Sequence, residues 1–223
     1  MTRVDAEFAR LFALDGQGAL IDGAGRSRAL VLDWAAPADW DELGAVWRGV
    51  QDVLGWPAPA IAVSGEALQL WFSLVEPVSA DQARTLLVAL RRRLLPADRA
   101  MRVEGWPREG RHACRPGEPL PGDERWSAFV APDLAPLFAQ TPWLDVPPGD
   151  DGQAALLAGL GSVTPERLAV LSASASCVGA ATVPGVAPRA FLEQVMNDAS
   201  VPLALRIEAA KALLMVSDRQ ASV

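Results

Sequence analysis

Histidine is almost missing from this chain: His112 is the only one. It sits in "GRHACRPG" with Cys114 as the sole nearby thiol. A structural zinc site needs more ligands at close spacing, so this pair does not form one. Cysteine is equally scarce. Cys114 and Cys177 offer no disulfide framework. Lysine occurs once, at Lys211, against nineteen arginines, and with the abundant alanine this reads as coding bias more than chemistry. Positive charge is in deficit overall: the net charge is −7, which argues against a strongly basic, non-specific nucleic-acid binder but leaves room for a local basic patch. No apolar run approaches the roughly 20 residues that span a bilayer. Asp5, Glu7 and Asp15 interrupt the first stretch, so it does not read as a secretory signal. The expectation is a cytoplasmic protein with no membrane association. No phosphate-loop or dinucleotide fingerprint is present either, because the glycines of "GQGALIDG" are wrongly spaced.

What is present is a strong alternation of strand-like and helix-like segments. "RALVLD" (28–33) reads as a buried strand, with a second strand near "GALID" (18–22) paired to it through "GAGRS". Asp39 and Glu42 form a capping-box pattern ahead of Leu43, Val46, Trp47, Val50, Val53 and Leu54 at helical spacing, closed by Gly55. "AIAV", the turn Ser64-Gly65-Glu66 and "LQLWFSL" then predict a hairpin. In its second strand Leu68, Leu70, Phe72 and Leu74 point one way, and Gln69, Trp71 and Ser73 the other. Ser79 with Gln82 caps a second helix bearing Ala83, Leu86, Leu87, Leu90 and Leu94, which Pro96 ends. "RAMRVEG" reads as a last strand.

The order is strand, helix, strand, strand, helix, strand. This predicts an α+β fold with the split βαβ sheet of ferredoxin-like and RRM folds, both helices on one face. The other face is then open, or covered by something later in the chain. The strand ending in Asp33 lies centrally, beside the strand carrying Gln69 and Trp71. If Leu30 and Leu32 face the helices, Asp33 shares the opposite face with Gln69 and Trp71.

Residues 105–148 hold nine of the eighteen prolines, so this segment is expected to be mostly irregular, with a short helix in "APDLAPLFAQ". Its Trp126, Phe129, Phe138 and Trp143 mark it as packed and not as a free linker. Residues 149–223 read as a small all-helical region. Thr164-Pro165 begins one helix, and Ser200 caps another with Leu203, Ile207, Ala210 and Leu214. The expected division is 1–148 and 149–223.

The hairpin "AVSGEALQLWFSL", with the "ALVLD" strand and the helices around it, resembles the primase-polymerase group of the archaeo-eukaryotic primase superfamily over roughly residues 18–106. Ser64, Gly65, Gln69, Trp71 and Phe72 carry the likeness. The resemblance implies carboxylates converging on divalent metal at nucleotide phosphates. Asp33 stands at the first acid and metal ligand, but Ala35 occupies its partner's position. Ala67 replaces the second glycine of the turn, Gln69 the usual histidine, and Glu104 is the candidate third acid. The resemblance thus implies a degenerate, inactive member from a replication or mobile-element context. No cofactor is expected, and magnesium or manganese enters only if catalysis persists. Ser64, Gly65, Gln69 and Trp71 remain as nucleotide or nucleic-acid contacts. A second likeness, of residues 191–214 to a helical segment of phage-associated proteins, including small terminase-like subunits, fits the same context.

Each of these residues also has a plainer reading. Asp33 at a strand end can be a turn or capping residue. Trp71 can stack a base, or lie beneath another part of the chain. Arg91, Arg92 and Arg93, near a helix C-terminus, can contact phosphates or simply complement the helix dipole from a solvated face. Ser64 with His112 is no hydrolase pair, because a hairpin turn is not a nucleophile elbow. Two function classes follow. One is the degenerate primase-polymerase-like protein, with single-stranded nucleic acid or replication proteins as partners. The other is a non-catalytic interaction or structural protein whose open sheet face is covered by its own C-terminal segment. They separate on whether Asp33, Gln69 and Trp71 line a solvent cleft.

Overall fold

The computed structural model describes residues 2–15, 19–108, 111–122, 124–171 and Arg206. Residues Met1–Ala173 form one compact unit and Ser174–Val223 a second. The first unit takes in residues 149–173, which the sequence reading grouped with the C-terminal region. The helix expected after Ser200 and the phage-like segment lie outside the described residues, as does Cys177.

The predicted α+β class and split βαβ order are those observed. Strand β1 is Arg26–Ala35, helix α2 Trp40–Asp52, β2 Ala60–Val63, β3 Ala67–Ser79, α3 Ala80–Leu94 and β4 Glu104–Trp106. An unpredicted helix, α1 (Arg3–Leu11), precedes them. A short α4 (Ala97–Ala100), β5 (Ala128–Val130), a 3-10 turn (Ala135–Phe138) and α5 (Asp150–Ala158) complete the set. The sheet is antiparallel, in the order β4-β1-β3-β2-β5. Its first four strands have the ferredoxin-like arrangement, and β5 extends it beyond β2.

Local chemistry starts the two helices of the split pattern. Asp39 caps α2 by accepting from the Glu42 amide, and Ser79 caps α3 by accepting from the Gln82 amide. Leu43, Val46 and Val50 of α2, and Leu86, Leu87 and Leu90 of α3, are buried at helical spacing. Helix α3 packs on β1, β3 and β4, with α2 beside it. Two local expectations shift. Residues 19–22 form no strand, because the Asp22 carboxylate accepts from the Ala24 and Arg26 amides and closes a turn with Gly25 at φ 71°. Residues 97–100 are helical, so the last strand of the split pattern begins only at Glu104.

The second sheet face is not open. Strand β3 is buried continuously from Ala67 to Leu74. A strand buried on both sides needs cover on both sides, and here α1, α5 and part of the 105–148 segment supply it. Phe8, Leu11 and Phe12 of the α1 region pack with Val31, Trp71, Phe129 and Leu157 in one core cluster. The cover therefore comes from both ends of the compact unit. Among the described residues, no helix is long and apolar enough to cross a membrane.

Candidate functional site

Strand register places the candidate residues in one row across the sheet. Glu104 of β4 lies opposite Asp33 of β1, Asp33 opposite Gln69 of β3, Gln69 opposite Ala62 of β2, and Ala62 opposite Phe129 of β5. The neighbouring row on the same face is Trp106, Val31, Trp71 and Ala60. Asp33, Gln69 and Trp71 thus share the face opposite α2 and α3. Glu104 joins them as a direct cross-strand neighbour of Asp33.

The row runs from solvent to interior. Glu104 is exposed and pairs with Arg108 at 2.8 Å. Asp33 is partly buried. Its Oδ2 accepts from the Trp106 indole at 3.3 Å, and its buried Oδ1 has no hydrogen-bond partner among the described residues. Burial pushes the Asp33 carboxyl above the usual range, and the nearby Glu104 charge adds to this, while Trp106, Gln69 and Arg108 oppose it. Gln69 is 3% exposed and Trp71 1%. The Gln69 carbonyl oxygen accepts from the Trp71 indole at 2.9 Å. The Gln-x-Trp pair therefore satisfies itself inside the protein: a buried indole N–H needs an acceptor, and the glutamine two residues away on the same face supplies it.

Above Trp71 lies an aromatic lid. The rings of Phe12 and Phe8 stand 5.4 and 6.2 Å from it, Phe129 6.1 Å and His112 5.6 Å. The His112 Nε2 lies 3.1 Å from the Ala29 carbonyl and donates to it, because a carbonyl only accepts. Burial pushes the His112 pKa down. Polar anchors hold α1 in place. The Ser73 hydroxyl donates to the Leu11 carbonyl at 2.6 Å and meets Ser162 Oγ at 2.6 Å. Arg28 reaches the carbonyls of Arg10, Ala13 and Leu74. Arg10 reaches those of Leu157, in the last turn of α5, and Leu160, just beyond it. At the other end of α1, Arg115 bonds Asp5 at 2.6 Å and lies over the Phe8 ring at 4.5 Å. With Thr2, it holds the Asp5 carboxyl down at about 2.

The hairpin turn is also occupied. Ser64 donates from its amide and its hydroxyl to the Ala67 carbonyl. The Gly65 amide donates to the Pro142 carbonyl at 2.8 Å. Gly65 has φ 92°, and a Cβ there would come within 2.5 Å of Leu120. The turn glycine is thus explained by the 105–148 segment lying against it. Ala35, at the partner-acid position, sits exposed at the end of β1. Arg91 turns back on its own helix end, donating to the carbonyls of Leu87 and Val103, while Arg92 and Arg93 are exposed.

Sequence reasoning missed α1. Its signals were present: Thr2 and Asp5 form a reciprocal capping box, and Phe8, Leu11 and Phe12 follow at helical spacing. No protein-family model matches the chain, and no curated protein matches it. Among the described residues, no group of three or more His, Cys, Asp or Glu side chains is placed to hold a metal ion.

Proposed function

We propose that this chain is a non-catalytic binding protein on an RRM-like sheet, with the sheet face of a primase-polymerase-like ancestor turned into interior. The observation that carries the reading is the burial of Trp71 and Gln69 beneath α1 and His112. A base-stacking platform needs an accessible ring. A phosphate-cradling turn needs unspent amides, and the Gly65 amide is spent on Pro142. The partners favoured are proteins of a replication or mobile-element setting, since Trp71 is sealed and the half-buried Trp106 ring on the same face is already covered by Arg108.

A metal-dependent nucleotidyltransferase is a second reading with one observation in its favour. Asp33 and Glu104 face each other across β1 and β4. Against it, Glu104 is exposed, the Trp106 indole holds one oxygen of Asp33, and the other oxygen is buried. Primer extension with magnesium or manganese decides between them. The expected result is no incorporation by the wild type, matching Asp33→Ala. Incorporation that disappears in Asp33→Ala would overturn the binding-protein reading.

A further inference from the structure

A cleft of about 310 Å³ opens between α3 and β4, at the solvent end of the row, where Glu104 lies. Leu87 and Val103, both buried, form its apolar floor, and Met101, 86% exposed, stands at its border. Arg84, Arg91 and Arg108 also line it, with Glu104 as the one acid among its lining residues. Three guanidiniums against Glu104 and, beside the lining, the Arg84 partner Asp81 leave a small positive excess here on a chain whose net charge is −7.

The three arginines differ in how they are held. Arg91 is fixed: its Nε and Nη1 donate to the carbonyls of Leu87 and Val103, and its Nη2 has no hydrogen bond among the described residues. Partial burial lowers its pKa, against the pull of Glu104, so an anion beside it would offset lost solvation. Arg84 and Arg108 are held loosely. Arg84 pairs with Asp81, and Arg108 with Glu104, with side chains 44–86% exposed in these pairs, and Arg108 also lies over the Trp106 ring at 4.2 Å. Exposed pairs of this kind contribute little, so both guanidiniums can turn toward an incoming anion.

We propose that this cleft binds a small phosphate monoester with a short apolar body. Guanidinium forks match the oxygens of an oxyanion in pairs. A phosphate monoester presents three such oxygens to three arginines and a carboxylate only two. The dianion also suits the positive excess of the lining, and Leu87, Val103 and Met101 receive the apolar part. The volume is at the lower end of small-ligand sites, which limits the ligand to a single ring or a short chain.

Titration calorimetry on the full chain tests this, with phenyl phosphate, inorganic phosphate and benzoate as probes. Phenyl phosphate should bind saturably, about tenfold more tightly than either of the others. The double variant Arg84→Ala/Arg108→Ala should weaken it by about tenfold or more while the thermal midpoint stays put. Both side chains are exposed, and Arg84→Ala alone, which leaves the Arg108–Trp106 stack in place, should weaken binding in the same direction. No saturable heat with phenyl phosphate overturns the proposal, as does binding indifferent to the double variant. Benzoate binding as tightly as phenyl phosphate overturns the phosphate assignment. Inorganic phosphate doing so removes the apolar body.

Discussion

On the side of α2 and α3, the sheet meets mostly leucine, valine and alanine, with Trp56 set edge-on to Phe72. On the side of α1 and α5, it meets Phe8, Phe12, Trp71 and Phe129, with Gln69, Ser73, Asp33 and His112 among or beside them. Both sides are interior. The first is built from neighbours in sequence, because each helix directly adjoins the strands it covers. The second is assembled from the N-terminal helix, the loop around residue 112 and α5, far apart along the chain. Three of the polar side chains on that second face each satisfy a neighbouring group. Gln69 satisfies an indole, Ser73 a helix-end carbonyl and His112 a strand carbonyl.

The largest break in the comparison should come from Trp71→Ala. Removing a fully buried indole from the aromatic lid should cost about 3–5 kcal/mol. Leu70→Ala, one residue away on the helix-covered face, should cost about 2–5 kcal/mol. Urea denaturation of both variants measures the two faces side by side. A Trp71 variant as stable as wild type would mean that the lid is not part of the cooperative core.

Ser73→Ala should have a smaller, more local effect. Losing the bond to the Leu11 carbonyl should cost about 0.5–1.5 kcal/mol. Amide hydrogen exchange should quicken in α1 and stay unchanged in α3. Equal acceleration in both helices would show that the two covers do not respond separately.

The smallest effect concerns pH. The Asp33 carboxyl is raised in the folded protein, chiefly by burial. Its favourable contribution is then complete below the unfolded carboxylate range and is lost as pH rises through the folded value. The stability of wild type minus that of Asp33→Asn should therefore fall as pH rises from the ordinary carboxylate range toward neutrality. Thermal midpoints across that window check it, and a constant difference would mean that Asp33 carries no such shift.

Much of this architecture could be read from the chain because local signals agreed with the global fold. Asp39 and Ser79 announced the two central helices, and alternation in "LQLWFSL" put Gln69 and Trp71 on one side. What escaped depended on distant partners. α1 is a short amphipathic helix whose apolar stripe has meaning only once Trp71 and Phe129 are in place. β5 is three residues inside a proline-rich segment and exists by pairing with β2. The strand expected at residues 18–22 lost to Asp22, whose side chain gives the backbone a turn instead of a ladder. At the candidate site, alternation gave the shared face but could not say who covers it. The pairing of Glu104 with Asp33 needed a register that the sequence does not write.

The outer strands of the sheet, β4 and β5, are three residues each. An exposed edge recruits other chains by offering a run of unpaired backbone donors and acceptors. Edges this short give a visiting strand almost nothing to continue. These two strands therefore offer little template for stacking by another copy of the chain. A partner that meets β4 or β5 has to read side chains more than backbone, and so would be displaced by single substitutions.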